Sequence, residues 1–213
     1  MSGCRHLSHQ EVNDIINNMT GTFTLRNRAL FQLGVETGYR ISELLSLSFG
    51  DVFDNDRVCD RVSICRDNMK GKRVGRGNIM MGNLSKKRLM LWKEEAEKRE
   101  SKHGIDSADP IFFSRKRDDN DRLQSITAVQ AWRAFKKAIK AAGIDGKVGT
   151  HSMRKTAGVR FYKESGQDLK ATQIFLGHSS VNDTMRYLSD CLVDIDGISK
   201  NMHERYENMA TAM

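Results

Sequence analysis

The stretch of sequence that decides the fold consists of three segments: Thr150-His-Ser-Met-Arg-Lys-Thr156, Leu176-Gly-His-Ser-Ser180 and Arg186-Tyr-Leu188. On a helix, His151 and Arg154 are three residues apart and share a face, where both can contact one small anion. Ser180 and Asn182 are typical of turns and helix N-caps. This spacing predicts a turn and then a short helix that brings Tyr187 back toward the other two side chains.

Tyr187 would therefore stand beside two cationic side chains that can bind a phosphate group. A phenol hydroxyl in that position can act as the nucleophile that attacks a phosphodiester. Each histidine taken alone is more often structural than catalytic, so the prediction rests on the assembled set.

A fourth segment lies upstream, Thr37-Gly-Tyr-Arg40-Ile-Ser-Glu-Leu-Leu-Ser-Leu47. The four segments, in this order, resemble the catalytic domain of the tyrosine recombinases, the phage integrase family: an arginine before Ser-Glu-Leu, then His-x-x-Arg, Leu-Gly-His and a tyrosine. The resemblance extends from about Leu7 to Leu188. It implies an α+β fold, mostly helical, with a small antiparallel β-sheet.

The resemblance also implies a domain division and a catalytic set. Residues 1–188 would be the catalytic domain, without the N-terminal core-binding domain of larger family members, so this looks like a bare catalytic domain. Residues 189–213 would be a C-terminal tail, either a helix that contacts a neighbouring protomer or a frayed end. The catalytic residues would be Arg40, Lys70, His151, Arg154, His178 and Tyr187.

Each of these residues has an expected role. Arg40 and Arg154 would clamp the phosphate, because a guanidinium forms bidentate bonds and stays charged. Tyr187 would be the nucleophile, with His151 as its base. His178 would hydrogen-bond the scissile phosphate or the tyrosine itself. Arg40 could instead be an ordinary surface residue paired with Glu36 or Glu43.

A lysine on a β-hairpin would protonate the leaving 5′ oxygen. Lys70 is the first choice and Lys72 the second. The family often has Pro-Leu after this hairpin, where the present chain has Gly82-Asn-Leu84.

Further basic residues are candidates for contacts with DNA: Lys72, Arg73, Arg76, Lys136, Lys137 and Lys140. Contacts of this kind would position the protein on the phosphate backbone without reading sequence. The alternatives are a solvated basic loop for the hairpin and a solvated helix face for the three last lysines.

The composition limits the partners. The formal net charge is +8, from 35 Lys and Arg against 27 Asp and Glu, which favours a polyanion. No segment approaches the roughly 18 apolar residues of a membrane span. The four cysteines are scattered and lack metal-ligand spacing, so we expect reduced thiols and no metal site. The chemistry implied by the resemblance requires no cofactor. Location in the cytoplasm, of a prokaryote or of a virus's host, follows as an expectation.

The resemblance implies a site-specific recombinase or integrase that cuts and rejoins double-stranded DNA through a 3′-phosphotyrosyl intermediate without metal or ATP. It would form a tetramer on DNA, be monomeric or weakly associated alone, and use accessory DNA-bending proteins. The alternatives are a type IB topoisomerase-like enzyme and a non-catalytic DNA-binding regulator on the same fold.

Local patterns predict the elements. Ser8-His-Gln-Glu11 is a capping box for a helix over about residues 9–19. Further helices are predicted over 24–36, 41–47, 85–103, from 125 or 127 to 142, from 151 to 165, and over 169–176. Residues 57–81 would form a hairpin or a three-stranded sheet, and residues 105–122 a mobile loop with a brief Ile111–Phe113 strand.

Overall fold

The computed structural model describes residues 4–64 and 78–188 and, beyond these, residues 199, 200, 202–204, 207 and 209. In chain order the helices and strands are α1 (His9–Asn17), α2 (Thr24–Thr37), α3 (Ile41–Leu44), α4 (Phe49–Val52), β1 (Phe53–Asp54), β2 (Arg57–Val58), β3 (Arg61–Val62), β4 (Ile79–Met80), α5 (Asn83–Arg99), β5 (Phe113–Arg117), β6 (Leu123–Ser125), α6 (Ala128–Ala141), α7 (Thr150–Glu164), α8 (Leu169–Leu176) and α9 (Val181–Tyr187). The α+β prediction, mostly helical with small antiparallel sheets, is confirmed.

Helix α2 is the centre of the molecule. It is buried along almost its whole length and packs against α5, α6 and α7. Gly38 ends it in the left-handed conformation, with φ of 63°, and its N–H donates to the carbonyl of Gly34. The chain can therefore turn sharply, and Arg40 follows two residues after the end of this central helix.

One apolar core joins the helices. Trp92 of α5 is fully buried, packs against the Phe113 ring with centroids 5.1 Å apart, and donates from Nε1 to the carbonyl of Ile111 at 2.7 Å. Phe31 of α2 meets Phe135 of α6 edge to face at 5.2 Å. Phe135 of α6 is therefore a core residue.

The strands form three separate antiparallel pairs within the described residues, β1 with β2, β3 with β4 and β5 with β6. The pair β3–β4 aligns Arg61 with Met80 and Val62 with Ile79, so a hairpin is present where the sequence predicts one. Its connecting residues 65–77 lie outside the described residues.

Three segments differ from the prediction. The helix expected over 85–103 runs over Asn83–Arg99. The strand expected at Ile111–Phe113 lies at Phe113–Arg117 instead, and its charged end is held by an ion pair from Arg117 to Glu100. The helix expected over 41–47 ends at Leu44, after which the N–H groups of Ser46 and Leu47 donate to carbonyls three residues back, those of Glu43 and Leu44, instead of four. The position of the strand depends on a contact with a distant part of the chain, whereas the end of this helix is a local tightening of its last turn.

Among the described residues, none of the helices has the length and apolar character needed to cross a bilayer.

Candidate active site

Arg40 is the N-cap residue of α3, with an extended backbone at φ −68° and ψ 152°. Its N–H donates to Oε2 of Glu43 at 2.6 Å, and its Nη1 lies 2.8 Å from Oε1 of the same carboxylate. Glu36 and Glu43 were the partners proposed for Arg40 from the sequence, and the structure shows Glu43 in that place. Glu36 makes other contacts, accepting from the N–H of Gly82 and from Gln32.

Arg154 lies in the second turn of α7 and is almost completely buried. Its Nη1 donates to the carbonyl of Gly38 at 2.8 Å, and its Nη2 donates to the carbonyl of Leu176. Burial and, as a smaller effect, the neighbouring charge of Arg40 lower the pKa of Arg154 to about 10. The guanidinium stays protonated near neutral pH and is aimed by two carbonyls at the ends of α2 and α8.

A small cavity joins the two arginines. Its volume is about 140 Å³, and it is lined by Arg40, Ile41, Ser42, Thr150, His151 and Arg154. One water occupies about 30 Å³ in the liquid, so a group of several heavy atoms fits here. Two guanidinium groups on one cavity favour an anion, and the N-terminus of α7, which supplies Thr150 and His151, favours one too.

Tyr187 ends α9 and reaches back to the start of α7, as the spacing predicts. Its hydroxyl donates to the main-chain carbonyl of His151 at 3.3 Å. Burial raises the pKa of Tyr187 to about 12, against the opposing effect of Arg154 and Arg40. The phenol is therefore neutral near neutral pH, and its attack on phosphorus needs a base.

His151 differs from the expectation in one respect. The hydrogen bond to Tyr187 comes from its main-chain carbonyl, while its side chain is exposed at the mouth of the cavity. The structure thus brings the two residues together without a direct imidazole–phenol bond.

His178 follows the left-handed Gly177, whose φ of 62° ends α8. Its ring meets that of Tyr187 edge to face, with centroids 5.3 Å apart and planes at 78°. Its Nδ1 lies 3.0 Å from Oγ1 of Thr184, a fully buried residue of α9. Arg40, His151, Arg154, His178 and Tyr187 therefore form one connected group.

The hairpin candidates Lys70, Lys72, Arg73 and Arg76 lie outside the described residues. The base of their hairpin is described, and it is tied to the site because Tyr39, next to Arg40, donates from its hydroxyl to the carbonyl of Val62 at 2.9 Å.

The other predicted DNA-contacting residues, Lys136, Lys137 and Lys140, are all exposed on α6. Phe135 and Ile139 of the same helix are buried. Their contact with DNA stays a prediction.

Glu43 and Thr184 are two further residues of the site that were not assigned to it from the sequence. Glu43 forms an ion pair with Arg40, and its Oε2 also lies 4.0 Å from Nη1 of Arg154. Its signal was the Arg40-x-x-Glu43 spacing, which matches an N-cap and its N3 carboxylate. Thr184 left a weaker signal, since it lies three residues before Tyr187 and thus on the same face of a helix.

Over the described part of the chain, His, Cys, Asp and Glu residues do not gather in groups of three or more that could hold a metal ion.

Comparisons with known proteins agree with this architecture. The Phage integrase family model matches residues 5–191. The tyrosine recombinase XerD of Neisseria meningitidis serogroup A is 32% identical over 181 residues, which cover 85% of this chain and 56% of that protein. The tyrosine recombinase XerC of Caldanaerobacter subterraneus subsp. tengcongensis is 26% identical over 183 residues, covering 85% and 46%.

Solved structures share the fold. The XerH site-specific recombinase, in a post-cleavage complex with palindromic difH substrate, aligns with a TM-score of 0.69 at 23% identity, covering 94% of this chain and 53% of that one. The XerA recombinase aligns with a TM-score of 0.65 at 23% identity, covering 96% and 64%. The chain spans about half the length of the curated relatives it matches. With the family model covering most of its residues and the four motifs gathered into one site, this chain belongs to the phage integrase family.

Proposed function

We propose that this chain is the catalytic domain of a site-specific DNA recombinase or integrase that cuts and rejoins DNA through a 3′-phosphotyrosyl intermediate. The observation that carries the proposal is the cavity shared by Arg40 and Arg154, with the hydroxyl of Tyr187 held at the neighbouring turn by His151. Two fixed guanidinium groups and a phenol on one anion-sized cavity suit displacement at a phosphodiester.

The reaction needs no external energy source. The Tyr187 oxygen forms a bond to phosphorus as the bond from phosphorus to the 5′ oxygen breaks, so the phosphodiester is conserved in the enzyme link. Negative charge grows on the phosphoryl oxygens during the displacement, and Arg40 and Arg154 stabilise it. The reverse attack by a 5′ hydroxyl restores the DNA and frees the tyrosine.

Proton transfers complete the scheme. His151, at the mouth of the cavity, is the proposed base for the Tyr187 proton, and its imidazole must turn toward the phenol when DNA enters. His178 contacts the phosphate or the tyrosine. Lys70, or alternatively Lys72, gives the proton to the leaving 5′ oxygen, and the Tyr39–Val62 bond that ties the hairpin to Arg40 supports such an approach.

Double-stranded DNA is the proposed partner. The net charge of +8 and the exposed Lys136, Lys137 and Lys140 support backbone contacts. A protein of similar fold, the Tn1549 transposon integrase, has been solved in complex with transposon right end DNA. We place the activity in the cytoplasm of a prokaryote, or of the host if the protein is viral.

The assembly would be a tetramer on DNA, with a weakly associated or monomeric protein alone and accessory DNA-bending proteins as helpers. Residues 189–213 are the proposed protomer-contact tail of a domain formed by residues 1–188. An apolar groove of about 330 Å³, which includes Met80, Phe161 and Phe175, offers an acceptor surface. The exposed Met202 and Met209 of the tail are suitable side chains to fill it.

A nicked suicide DNA substrate tests the proposed function, because a departing short strand traps the covalent intermediate. The wild-type protein should form a protein–DNA adduct, and Tyr187→Phe should form none while still binding DNA. Tyr162→Phe is the matched control, since Tyr162 is a buried tyrosine of α7 and is not among the residues that line the cavity. An adduct with Tyr187→Phe, or none with wild type on its cognate site, contradicts the proposal.

Assays on intact DNA, run beside the suicide substrate, separate the alternatives. Strand exchange between two sites marks a recombinase, whereas relaxation of supercoils by a monomer marks a type IB topoisomerase-like enzyme. Binding without any adduct would mark a DNA-binding regulator.

Two further measurements address the lysines. A 5′ bridging phosphorothiolate leaves without a proton, so it should rescue cleavage by Lys70→Ala if Lys70 is the general acid; equal defects on both substrates would direct attention to Lys72. Lys136→Ala with Lys137→Ala should flatten the salt dependence of binding, by a log–log slope of about 0.9 per lost phosphate contact.

A further inference from the structure

His178 is held in one orientation by contacts on both its main chain and its ring. Its N–H donates to the carbonyl of Gln173 at 3.1 Å, and its own carbonyl accepts from Nε2 of Gln173 at 3.0 Å. The ring is held separately, through the 3.0 Å contact between Nδ1 and Oγ1 of Thr184. The imidazole is therefore placed by the surrounding structure before any ligand arrives.

The burial and the position of Thr184 on α9 suit this contact. Thr184 has no exposed surface, and it lies three residues before Tyr187 on α9, so the two side chains share a face of that helix. The rings of His178 and Tyr187 are in edge-to-face contact, so Thr184, His178 and Tyr187 all contact or adjoin one another. A single helix thus carries the nucleophile and the residue that orients its neighbouring histidine.

The contact also selects a tautomer of the ring. Among the described residues, the hydrogen-bond partner of the Thr184 hydroxyl is Nδ1 of His178. A buried hydroxyl needs an acceptor for its proton, and Nδ1 is an acceptor only when it carries no hydrogen. The neutral imidazole then bears its hydrogen on Nε2, at the opposite side of the ring.

We propose that Thr184 is a positioning residue, which fixes His178 as the Nε2–H tautomer so that this histidine acts as a hydrogen-bond donor toward the reacting phosphate. The inference rests on the proposed function and deepens it, because it distinguishes the roles of the two histidines. An Nε2–H group stabilises charge that grows on a phosphoryl oxygen, whereas a lone pair on Nε2 would repel it. His151 is then the histidine left for proton abstraction from Tyr187.

Three variants separate this role from simple packing. Thr184→Val keeps the shape and removes the hydroxyl, while Thr184→Ser keeps the hydroxyl and removes a methyl group. Thr172→Val is the matched control, because Thr172 is also fully buried and its hydroxyl bonds the carbonyl of Asp168 on its own helix. A merely structural threonine would make both valine variants behave alike.

The first readout is single-turnover adduct formation on the suicide substrate, measured beside DNA affinity. Thr184→Val should slow the chemical step by about 10- to 100-fold, by analogy with the loss seen when the hydrogen-bond partner of a metal-ligating histidine is removed. Its DNA affinity should stay at the wild-type value, Thr184→Ser should recover most of the rate, and Thr172→Val should cleave normally. A wild-type rate for Thr184→Val, or equal loss in the serine and valine variants, would overturn the inference.

The second readout is direct. Heteronuclear NMR of the imidazole nitrogens, in the Tyr187→Phe background and assigned with His178→Gln, reports which ring nitrogen bears the hydrogen. We expect Nε2–H for His178 with Thr184 present and a mixture of tautomers with Thr184→Val. An Nδ1–H tautomer in the presence of Thr184 overturns the inference even where adduct formation occurs. Absence of any adduct from the wild type would instead count against the proposed function, while the NMR result still tests Thr184.

Discussion

Nη1 of Arg154 lies 4.0 Å from Oε2 of Glu43, a residue 111 positions earlier in the chain, and the other oxygen of that carboxylate lies 2.8 Å from Nη1 of Arg40. One buried carboxylate thus lies between two guanidinium groups that would otherwise repel each other. Arg40 remains partly open to solvent, whereas Arg154 and Glu43 are buried. The arrangement keeps both positive charges at one cavity when no phosphate is bound.

Glu43→Gln should weaken both the fold and the site. The amide keeps the shape but leaves the buried arginine contacts without a charged acceptor, so we expect a loss of roughly 1–3 kcal/mol in the free energy of unfolding. Adduct formation should slow as well, because Arg40 loses the partner that holds it. Urea unfolding and the suicide substrate measure the two effects. The exposed Glu94→Gln on α5 is the control, and an unfolding free energy for Glu43→Gln equal to that of wild type would contradict the assigned role.

Arg154→Lys should be far from conservative. The guanidinium bonds two carbonyls, those of Gly38 and Leu176, and a lysine ammonium cannot reproduce its planar fork. We expect adduct formation to fall by about two or more orders of magnitude, the scale of losing one oxyanion donor. Arg186→Lys, at an exposed position on α9, is the control for the same exchange. Near-normal cleavage by Arg154→Lys would remove Arg154 from the phosphate clamp.

Gly38→Ala tests how the end of α2 supports the site. Gly38 has φ of 63°, and an added Cβ would lie 3.0 Å from the Cβ of Ala157. Gly143 has φ of 64° with nothing within 4 Å of an added Cβ, so Gly143→Ala measures the backbone cost alone. We expect about 1–2 kcal/mol of destabilisation for Gly143→Ala and a larger loss for Gly38→Ala.

Only the Gly38 variant should also slow adduct formation, because its carbonyl accepts from Arg154. Thermal or urea unfolding of the two variants gives the comparison. Equal destabilisation by the two alanines, with equal rates of cleavage, would show that the contact with α7 has no influence on the site.

The ionisation of Tyr187 should occur at unusually high pH. Its pKa is raised by burial from 10.0 to about 12, so between these values the folded state keeps a proton that the unfolded state releases. The stabilisation from this group is complete below pH 10 and is lost as the pH rises through about 12. Phenolate absorbance of wild type minus Tyr187→Phe should therefore be small at pH 10, with folding checked by circular dichroism. A difference signal already half complete there would contradict the prediction.

Much of the local structure was predictable because its determinants lie within a few residues. The capping box from Ser8 to Glu11 starts α1 at His9, as expected. Gly177 ends α8 in the left-handed conformation, and Asp168 caps its start by accepting from the N–H of Ala171. Each of these hydrogen bonds joins atoms at most four or five residues apart, so a single segment of sequence contains all the groups involved.

The charged segment at residues 114–118 shows why other elements were mispredicted. Its run of basic side chains near acidic ones indicated a mobile loop, yet Phe113–Arg117 forms a strand paired with Leu123–Ser125. The strand is held by Phe113, which is buried against Trp92, and by the Arg117–Glu100 ion pair. Both partners lie in or beside α5, and nothing within the segment itself reveals them.

The sequence alone determined five candidate side chains of the site and their order along the chain: the arginine after the turn at Gly38, the His-x-x-Arg at the start of a helix, His178, and a tyrosine nine residues after it. Those features depend on local spacing, which sets the faces and ends of helices. Only the tertiary structure decided that Arg154 is buried against the carbonyls of Gly38 and Leu176, and that Tyr187 meets the main chain of His151. The physical reason is that these partners are 22 to 116 residues apart, so they meet only when the packing of α2, α7, α8 and α9 brings the helix ends together.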